Sequence, residues 1–363
     1  NIDIQLREQM DYARILYNKG LYLQSLRILD KLKEIARSYN QVSLLVQVLS
    51  LEKHIESLHI TRSLANRAGE LATEAEEVAD RLTLVTRLSN LALQLYGWYI
   101  NNGHARSGAE EETLTRFFKE HLPQALPAET TFYQKMYLHQ SYCWYAFIRQ
   151  DFLMYYRYTQ KWVDLFVAEP VMIEVETAHY IKGLHNLLNA HFSLRNYPRF
   201  DATLEQFQQF AESNIVRRNQ NNAIQVFVYL YIARINQHFM HGTFKQGLPL
   251  VQEIEAGLKE HALHLDRHRV LVFYYKIASL YFGSGNWDKT IDYLNKIINW
   301  KVDLRNDLQC YARLLHLIAH YELGNYDWRF SAKNMHKIED HLRAIPHRPL
   351  KSSDERYRRL AIE

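Results

Sequence analysis

The chain has 363 residues, with 44 Lys and Arg against 40 Asp and Glu, and its formal net charge is only +4. Because this excess of basic residues is too small to create a strong electrostatic field, the composition gives no reason to expect nucleic acid or an acidic membrane as a partner. The length exceeds one ordinary compact core and predicts several domains or a solenoid. Only 12 Gly and 7 Pro, without alternating β-branched runs between turns, predict helix almost throughout.

One pattern recurs along the chain: an apolar helical stretch, a turn, and a second apolar helical stretch. In its clearest copy, Tyr274 to Ile298, Gly285 lies at the turn and Trp287 follows two residues later. Corresponding turns are predicted near residues 20, 60, 103, 150, 195, 242, 285 and 324. Their spacing of about 39 to 47 residues predicts about eight helical hairpins.

The order Ala278, Tyr281, Gly285, Trp287 and Leu294 resembles the tetratricopeptide repeat (TPR), a helix-turn-helix unit. The copies with turns near 20, 242 and 285 carry the resemblance most specifically. YELGNYD, residues 321–327, is similar to uncharacterised bacterial TPR-like proteins, which bring no function with them. The resemblance implies an all-α, right-handed α-solenoid of about eight TPR-like repeats over residues 1–345. Residues 346–363 are expected to form a basic C-terminal capping or frayed segment.

Four stretches are predicted to break helices within this array rather than to separate domains: 103–111, 123–130, 169–170 and 214–222. Residues 104–112 are interpreted as a polar insertion after the third turn. The carboxylates between Glu70 and Asp80 are interpreted as one acidic, solvated helix. None of these segments has the composition of a long flexible linker.

Two groups of histidines admit a functional interpretation. His261, His264 and His268 would share one face of a continuous helix, where imidazoles could hold zinc. They lie between two hairpins, however, so a helix break is expected to scatter them in a solvated loop. We therefore predict no metal and no cofactor.

His191, His238 and His320 occupy the same register, four residues before their turns. Such a row could sense pH or bind a ligand. The preferred interpretation is that each packs at a helix junction with a hydrogen-bond partner.

No catalytic motif is present. The sequence lacks a Walker motif and a GxSxG elbow, and no HExxH motif surrounds His316 and His320. The sequence therefore predicts no enzyme.

Cys143 and Cys310 lie in separate apolar stretches, which favours free thiols and a reducing cytoplasm. No apolar run is long enough to span a membrane. The chain begins at Asn1, so a removed export signal stays an open alternative.

The functional prediction depends on the groove that the TPR resemblance implies. In such arrays the first helices of the hairpins line a concave surface, and the residues that would face a ligand there are Arg14, Trp144, Lys182, His185, Asn189, Asn236, Tyr275 and Ser279. Asn189 and Asn236 could form a ladder along an extended peptide, and Lys182 and His185 could attract a carboxylate. The sequence thus predicts a non-catalytic protein–protein interaction scaffold that binds a peptide or protein segment.

Two alternatives remain at this point. One is a regulatory or nucleic-acid-associated protein whose basic end, including Arg356, Arg358 and Arg359, contacts phosphate. No base-reading module accompanies that tail, so nucleic acid is the less favoured partner. The other alternative is an enzyme whose site is not visible in the sequence.

Overall fold

The computed structural model describes residues 2–59, 66–124, 127, 130–300 and 306–324, and these residues form α-helices and turns without a strand. The helices are α1 Ile2–Asn18, α2 Tyr22–Ser38, α3 Val42–Leu58, α4 Arg67–Asn102, α5 Gly108–His121, α6 Phe132–Ile148, α7 Phe152–Ala168, α8 Val171–Val175, α9 Thr177–Ser193, α10 Tyr197–Ala211, α11 Asn214–Arg217, α12 Gln220–His241, α13 Phe244–Gly247, α14 Pro249–Glu260, α15 Arg267–Ser284, α16 Trp287–Ile298 and α17 Asn306–Glu322. The all-α prediction is confirmed for this part of the chain. None of these helices combines the length and the apolar character that crossing a membrane requires.

The turns follow the predicted spacing. Residues with left-handed backbone are found at Gly20, Gly103, Gln150, Arg195, Gly242, Gly285 and Gly324, with φ between +54° and +80°. The predicted turn near residue 60 lies outside the described residues. At Gly285 the reversal is closed by its N–H donating to the Phe282 carbonyl (3.0 Å) and by the Asn286 N–H donating to the Tyr281 carbonyl (3.0 Å). A further left-handed residue, Asn40, marks a turn between α2 and α3 that the sequence pattern did not predict.

Short polar side chains start the helices that follow several of these turns. The side chains of Asp151, Asn196 and Asn286 accept the backbone N–H three residues later, at 3.0, 3.4 and 3.1 Å. Each is the residue directly after a left-handed residue, so one dipeptide both reverses the chain and caps the next helix.

Helix α4 is 36 residues long and differs from the expected hairpin boundary. The sequence pattern assigns residues 64–71 to the second hairpin and Tyr96 to the third, but one continuous helix contains residues 67–71 together with Tyr96. Leu71 and Val78 in its first half belong to the core formed with α1, α2 and α3. Leu91 and Leu95 in its second half belong to a separate core with α5, α6 and α7. One helix therefore takes part in two layers of packing.

The predicted loops are confirmed at 123–124 and 169–170, where helices end and begin, and corrected elsewhere. Residues 104–112 are only partly an insertion, because α5 begins at Gly108. The stretch 214–222 contains the short α11 and the first turn of α12.

The chain groups into two compact units. The first contains residues up to Ala105 and from Glu111 to Gly183. The second contains Arg106–Glu110 and the described residues after Gly183. Its core includes Ile235 of α12, Ile254 of α14, Ile277 of α15 and Leu294 of α16. The single solenoid over residues 1–345 stays a prediction, and residues 346–363 lie outside the described part.

Candidate functional site

The eight predicted groove residues are divided between the two units. Arg14, Trp144 and Lys182 lie in the first unit, and the other five lie in the second. They are therefore described unit by unit.

In the first unit the three residues have different surroundings. Arg14 on α1 is largely exposed and lies 3.7 Å from Asp11. Trp144 on α6 is half-buried among aromatic rings, 5.0 Å from Tyr96 and 5.7 Å from Tyr99 between centroids. Lys182 on α9 is half-buried. No described contact joins these three residues to one another.

In the second unit His185 and Asn189 are brought together. The Asn189 side-chain nitrogen lies 3.0 Å from His185 Nε2, one turn away on α9. The His185 ring stacks on Tyr229 of α12 at 4.1 Å, and the Arg269 guanidinium of α15 lies 5.9 Å from the Tyr229 ring centroid. These contacts connect α9, α12 and α15.

Asn236 differs from the exposed amide that a peptide ladder requires. It is only 4% exposed. Its Oδ1 accepts a hydrogen bond from Lys276 Nζ at 2.6 Å. The reason is that Lys276, on the neighbouring α15, has a charged group that needs an acceptor inside the packed interface. The predicted role of Asn236 as a free peptide contact is therefore corrected to a partner of Lys276.

Lys276 was not selected from the sequence. Its ammonium group lies 5.5 Å from the Phe239 ring centroid and has no carboxylate partner within the described ranges. Burial lowers its pKa to about 8. The sequence does contain a feature that could have identified this lysine. Lys276 is the lone charged residue between Val270 and Ser284, in a stretch that is otherwise uncharged.

Tyr275 and Ser279 lie on the same helix, and both are half-buried. The Ser279 hydroxyl donates to the Tyr275 carbonyl at 2.9 Å, which satisfies the hydroxyl within its own helix. Ser279 lies six residues before Gly285, as Asn189 lies six residues before Arg195.

The same register on α17 is occupied by apolar side chains that the sequence prediction did not include. Ile318 lies six residues before Gly324, and Leu314 lies one turn earlier. Both are 39% exposed, and Tyr311 is 50% exposed. These three side chains form an open apolar face on the last described helix.

The histidines of the row are packed to different degrees, and the predicted hydrogen bond at the helix junction is confirmed for His238. The His238 Nδ1 lies 2.8 Å from the Thr243 hydroxyl, across the turn at Gly242, as predicted. His191 is 1% exposed, and burial lowers its pKa to about 4. His320 packs edge-on against His316 with centroids 4.5 Å apart, and burial lowers the pKa of both.

The other histidine group is separated by a helix break, as expected. Helix α14 ends at Glu260 and α15 begins at Arg267, so His261, His264 and His268 do not share one helix. No set of three or more His, Cys, Asp or Glu side chains among the described residues is placed to hold a metal ion.

A buried ionic cluster in the first unit was also missed. Glu52 of α3 is completely buried, and its carboxylate pairs with Lys33 of α2 (2.7 Å) and with Arg67 of α4. Lys33 also lies 3.4 Å from Glu74 of α4, which pairs with Arg37. The acidic segment 70–80 is therefore not wholly solvated, because Glu74 is half-buried in this cluster.

An open cleft of about 470 Å³ lies beside α14 and α16 in the second unit. The polar groups that line it interact with one another. Tyr293 donates a hydrogen bond to Glu255 at 2.5 Å, and Lys289 lies 3.3 Å from Asp292. Lys296 lies 4.0 Å from the Tyr293 ring centroid. The arrangement is that of a surface ion-pair patch and provides no reactive constellation.

Arg356, Arg358 and Arg359, on which the nucleic-acid alternative depends, lie outside the described residues. No protein-family model matches this sequence, and a search of curated proteins finds no match.

Proposed function

We propose that this chain is a non-catalytic helical-repeat protein that binds a segment of a partner protein along the first helices of the second unit. The hairpins are proposed to stack as a TPR-like, right-handed solenoid, so that these helices line its concave side. The cytoplasmic location stays a prediction that depends on the two buried, free cysteines.

The shared register of α9, α15 and α17 carries the proposal. Counted back from the left-handed residue that ends each hairpin's first helix, the sixth position holds Asn189, Ser279 and Ile318. Each of the three is half-buried or exposed, although the positions beside them are buried, namely Leu188, Ala278 and Ala319. Asn236 holds the same position on α12, between α9 and α15, but is only 4% exposed. Partly exposed side chains in one register on α9, α15 and α17 are what an extended segment needs for repeated contacts.

The chemistry of the side chains on this face indicates which kind of peptide segment would bind there. At one end His185 and Asn189 supply polar groups for backbone carbonyl or amide groups. At the other end Leu314, Ile318 and Tyr311 supply apolar surface. The expected ligand is an extended peptide with apolar side chains toward α17 and polar backbone contacts toward α9.

A displayed library of random peptides tests this proposal, because selection from it requires no assumption about the sequence of the partner. Peptides selected on the wild-type protein are expected to bind the Ile318→Glu variant about tenfold or more weakly in calorimetry, because the substitution puts a charge on the apolar face. Asn189→Ala is expected to weaken them by a few-fold.

Leu263→Glu is the control, since Leu263 lies between α14 and α15 and is 96% exposed. It is expected to leave binding unchanged. If no peptide is enriched, or if selected peptides bind all three variants equally, the second unit does not bind a segment on this face.

A further inference from the structure

Two connections between helices meet at one edge of the second unit. The first contains α11 and leads from α10 into α12, and the second leads from α14 into α15. They contact each other where the Gln220 Nε2 atom lies 3.3 Å from the His264 Nε2 atom. Residues 212–220 and 259–269, which contain these connections, are called the basic edge below.

The second connection carries a large apolar side chain that lies almost entirely in solvent. Leu263 is 96% exposed, more than any other large apolar residue in the described part of the chain. Leu265, two residues later, packs against the core of the second unit and anchors the connection. The apolar surface of Leu263 is therefore held in water, and its transfer into an apolar phase is favourable.

Exposed arginines lie beside this leucine. Arg267 follows Leu263 by four residues, and Arg217 and Arg218 belong to the first connection. The Cα atom of Arg218 lies within about 7 Å of that of Gln220, because only two residues separate them. None of these three guanidinium groups pairs with a carboxylate that the structure describes. Their charges are therefore available to an anionic partner.

The small net charge of the chain is unevenly distributed and favours this edge. The basic edge contains five Lys and Arg against three Asp and Glu, which is an excess of +2 in 20 residues. The whole chain of 363 residues has an excess of only +4. One of the three acids, Asp266, is already paired with Arg269 at 3.3 Å. Composition averaged over the whole chain does not reveal this local excess.

The exposed leucine distinguishes between the possible anionic partners. A nucleic acid would pair with the arginines, but its phosphates would offer nothing to a leucine side chain. A membrane that contains acidic lipids offers anionic headgroups to the arginines and an apolar layer beneath them to the leucine. The combination on this edge therefore fits a membrane surface better than a nucleic acid.

We propose that the basic edge docks on a membrane surface containing acidic lipids, with Leu263 inserted beneath the headgroups and Arg217, Arg218 and Arg267 at the lipid phosphates. One leucine and three arginines give weak and reversible binding. The proposal is independent of the peptide face, because none of these residues belongs to that face.

Flotation with lipid vesicles tests the contribution of charge. The wild-type protein is expected to bind phosphatidylcholine vesicles with about one third phosphatidylserine at least tenfold more tightly than pure phosphatidylcholine vesicles. Arg217→Gln/Arg218→Gln is expected to weaken binding to the acidic vesicles about tenfold or more, since each charge accounts for about fivefold. Arg81→Gln/Arg87→Gln removes two exposed charges from α4 and is expected to bind like the wild type. Equal binding of the wild type to both kinds of vesicle, or equal losses in both double variants, overturns the proposal.

Variants of Leu263 test whether the lipid layer itself is recognised. Leu263→Ser is expected to weaken binding about tenfold or more, because the inserted apolar surface is lost. Leu153→Ser on α7 replaces a leucine that is 62% exposed and is expected to leave binding unchanged.

A polarity-sensitive fluorophore attached to Leu263→Cys gives a second readout, and its emission is expected to shift to shorter wavelength when acidic vesicles are added. The native Cys143 and Cys310 are 2% and 4% exposed and therefore react little with the label. If Leu263→Ser binds like the wild type, or if the emission does not shift, the contact is electrostatic without insertion and the proposal is wrong.

Discussion

The side chain of Lys276 lies at an interface between α12 and α15. Its ammonium group contacts one amide oxygen and the face of one aromatic ring. The amide is Asn236 (2.6 Å), and the ring centroid is that of Phe239 (5.5 Å). An amide oxygen and a ring face stabilise a cation less than a carboxylate does. The ammonium form is therefore penalised by burial, and the pKa of Lys276 falls to about 8.

This shift predicts a specific pH dependence of stability. An unfolded chain keeps the lysine proton until about pH 10.4, whereas the folded chain loses it near pH 8. Between these values the unfolded chain binds more protons, so the free energy of unfolding rises with pH. The contribution of Lys276 is expected to increase by about 1 to 3 kcal/mol from pH 7 to pH 10.

Comparison with Lys276→Met isolates this contribution. Methionine fills similar space and does not titrate, so the difference in unfolding free energy between wild type and variant should change with pH over that window. Denaturant unfolding at several pH values measures it. The control is Lys289→Met, which replaces a lysine whose side chain is 55% exposed. If both differences are independent of pH, Lys276 keeps its charge in the folded protein.

Individual residues show where sequence reasoning succeeds. Gln150 and Arg195 adopt left-handed backbone at turns that only the periodicity predicted, since neither is glycine. The periodicity succeeds because each hairpin must reverse at a fixed point in its apolar pattern. The role of Asn236 was not predictable in the same way, because it depends on Lys276, 40 residues later, and on how two helices are rotated against each other.

At the scale of helices, Glu52 connects three elements of the first unit. It is completely buried on α3 and pairs with Lys33 of α2 and Arg67 of α4. Removing one charge from such a cluster leaves the others buried and uncompensated. Glu52→Gln is therefore expected to lower the free energy of unfolding by about 3 to 5 kcal/mol.

Glu70→Gln is the matched comparison, because Glu70 lies 3.7 Å from the same Arg67 but its side chain is 64% exposed. An exposed pair is expected to contribute less than about 1 kcal/mol. Equal losses for the two variants in denaturant unfolding would show that burial does not decide the strength of these pairs.

Helix boundaries reveal a second limit of the sequence. Most helices were located by their apolar spacing on either side of the predicted turns, as for α15 and α16 around Gly285. The continuity of α4 was not recognised, because residues 67–87 are rich in charges and residues 88–102 have none. The two halves therefore have different patterns, although nothing between them breaks the helix.

At the scale of the whole molecule, the two layers of the first unit depend on one helix. Leu71 is 3% exposed in the core with α1 to α3, and Leu95 is completely buried in the core with α5 to α7. Because helix formation is cooperative, loss of packing at one end of α4 removes support from the other. The two layers are therefore expected to unfold together.

Leu71→Ala tests this coupling. The cavity is expected to lower the free energy of unfolding by about 2 to 4 kcal/mol. Hydrogen exchange should then accelerate in residues 88–102 as well as in α1 to α3, although Leu71 contacts only the latter core. Leu58→Ala serves as control, since Leu58 is 59% exposed on α3 and should change exchange in neither layer. Faster exchange confined to α1, α2, α3 and the first half of α4 would show that the long helix opens in two independent parts.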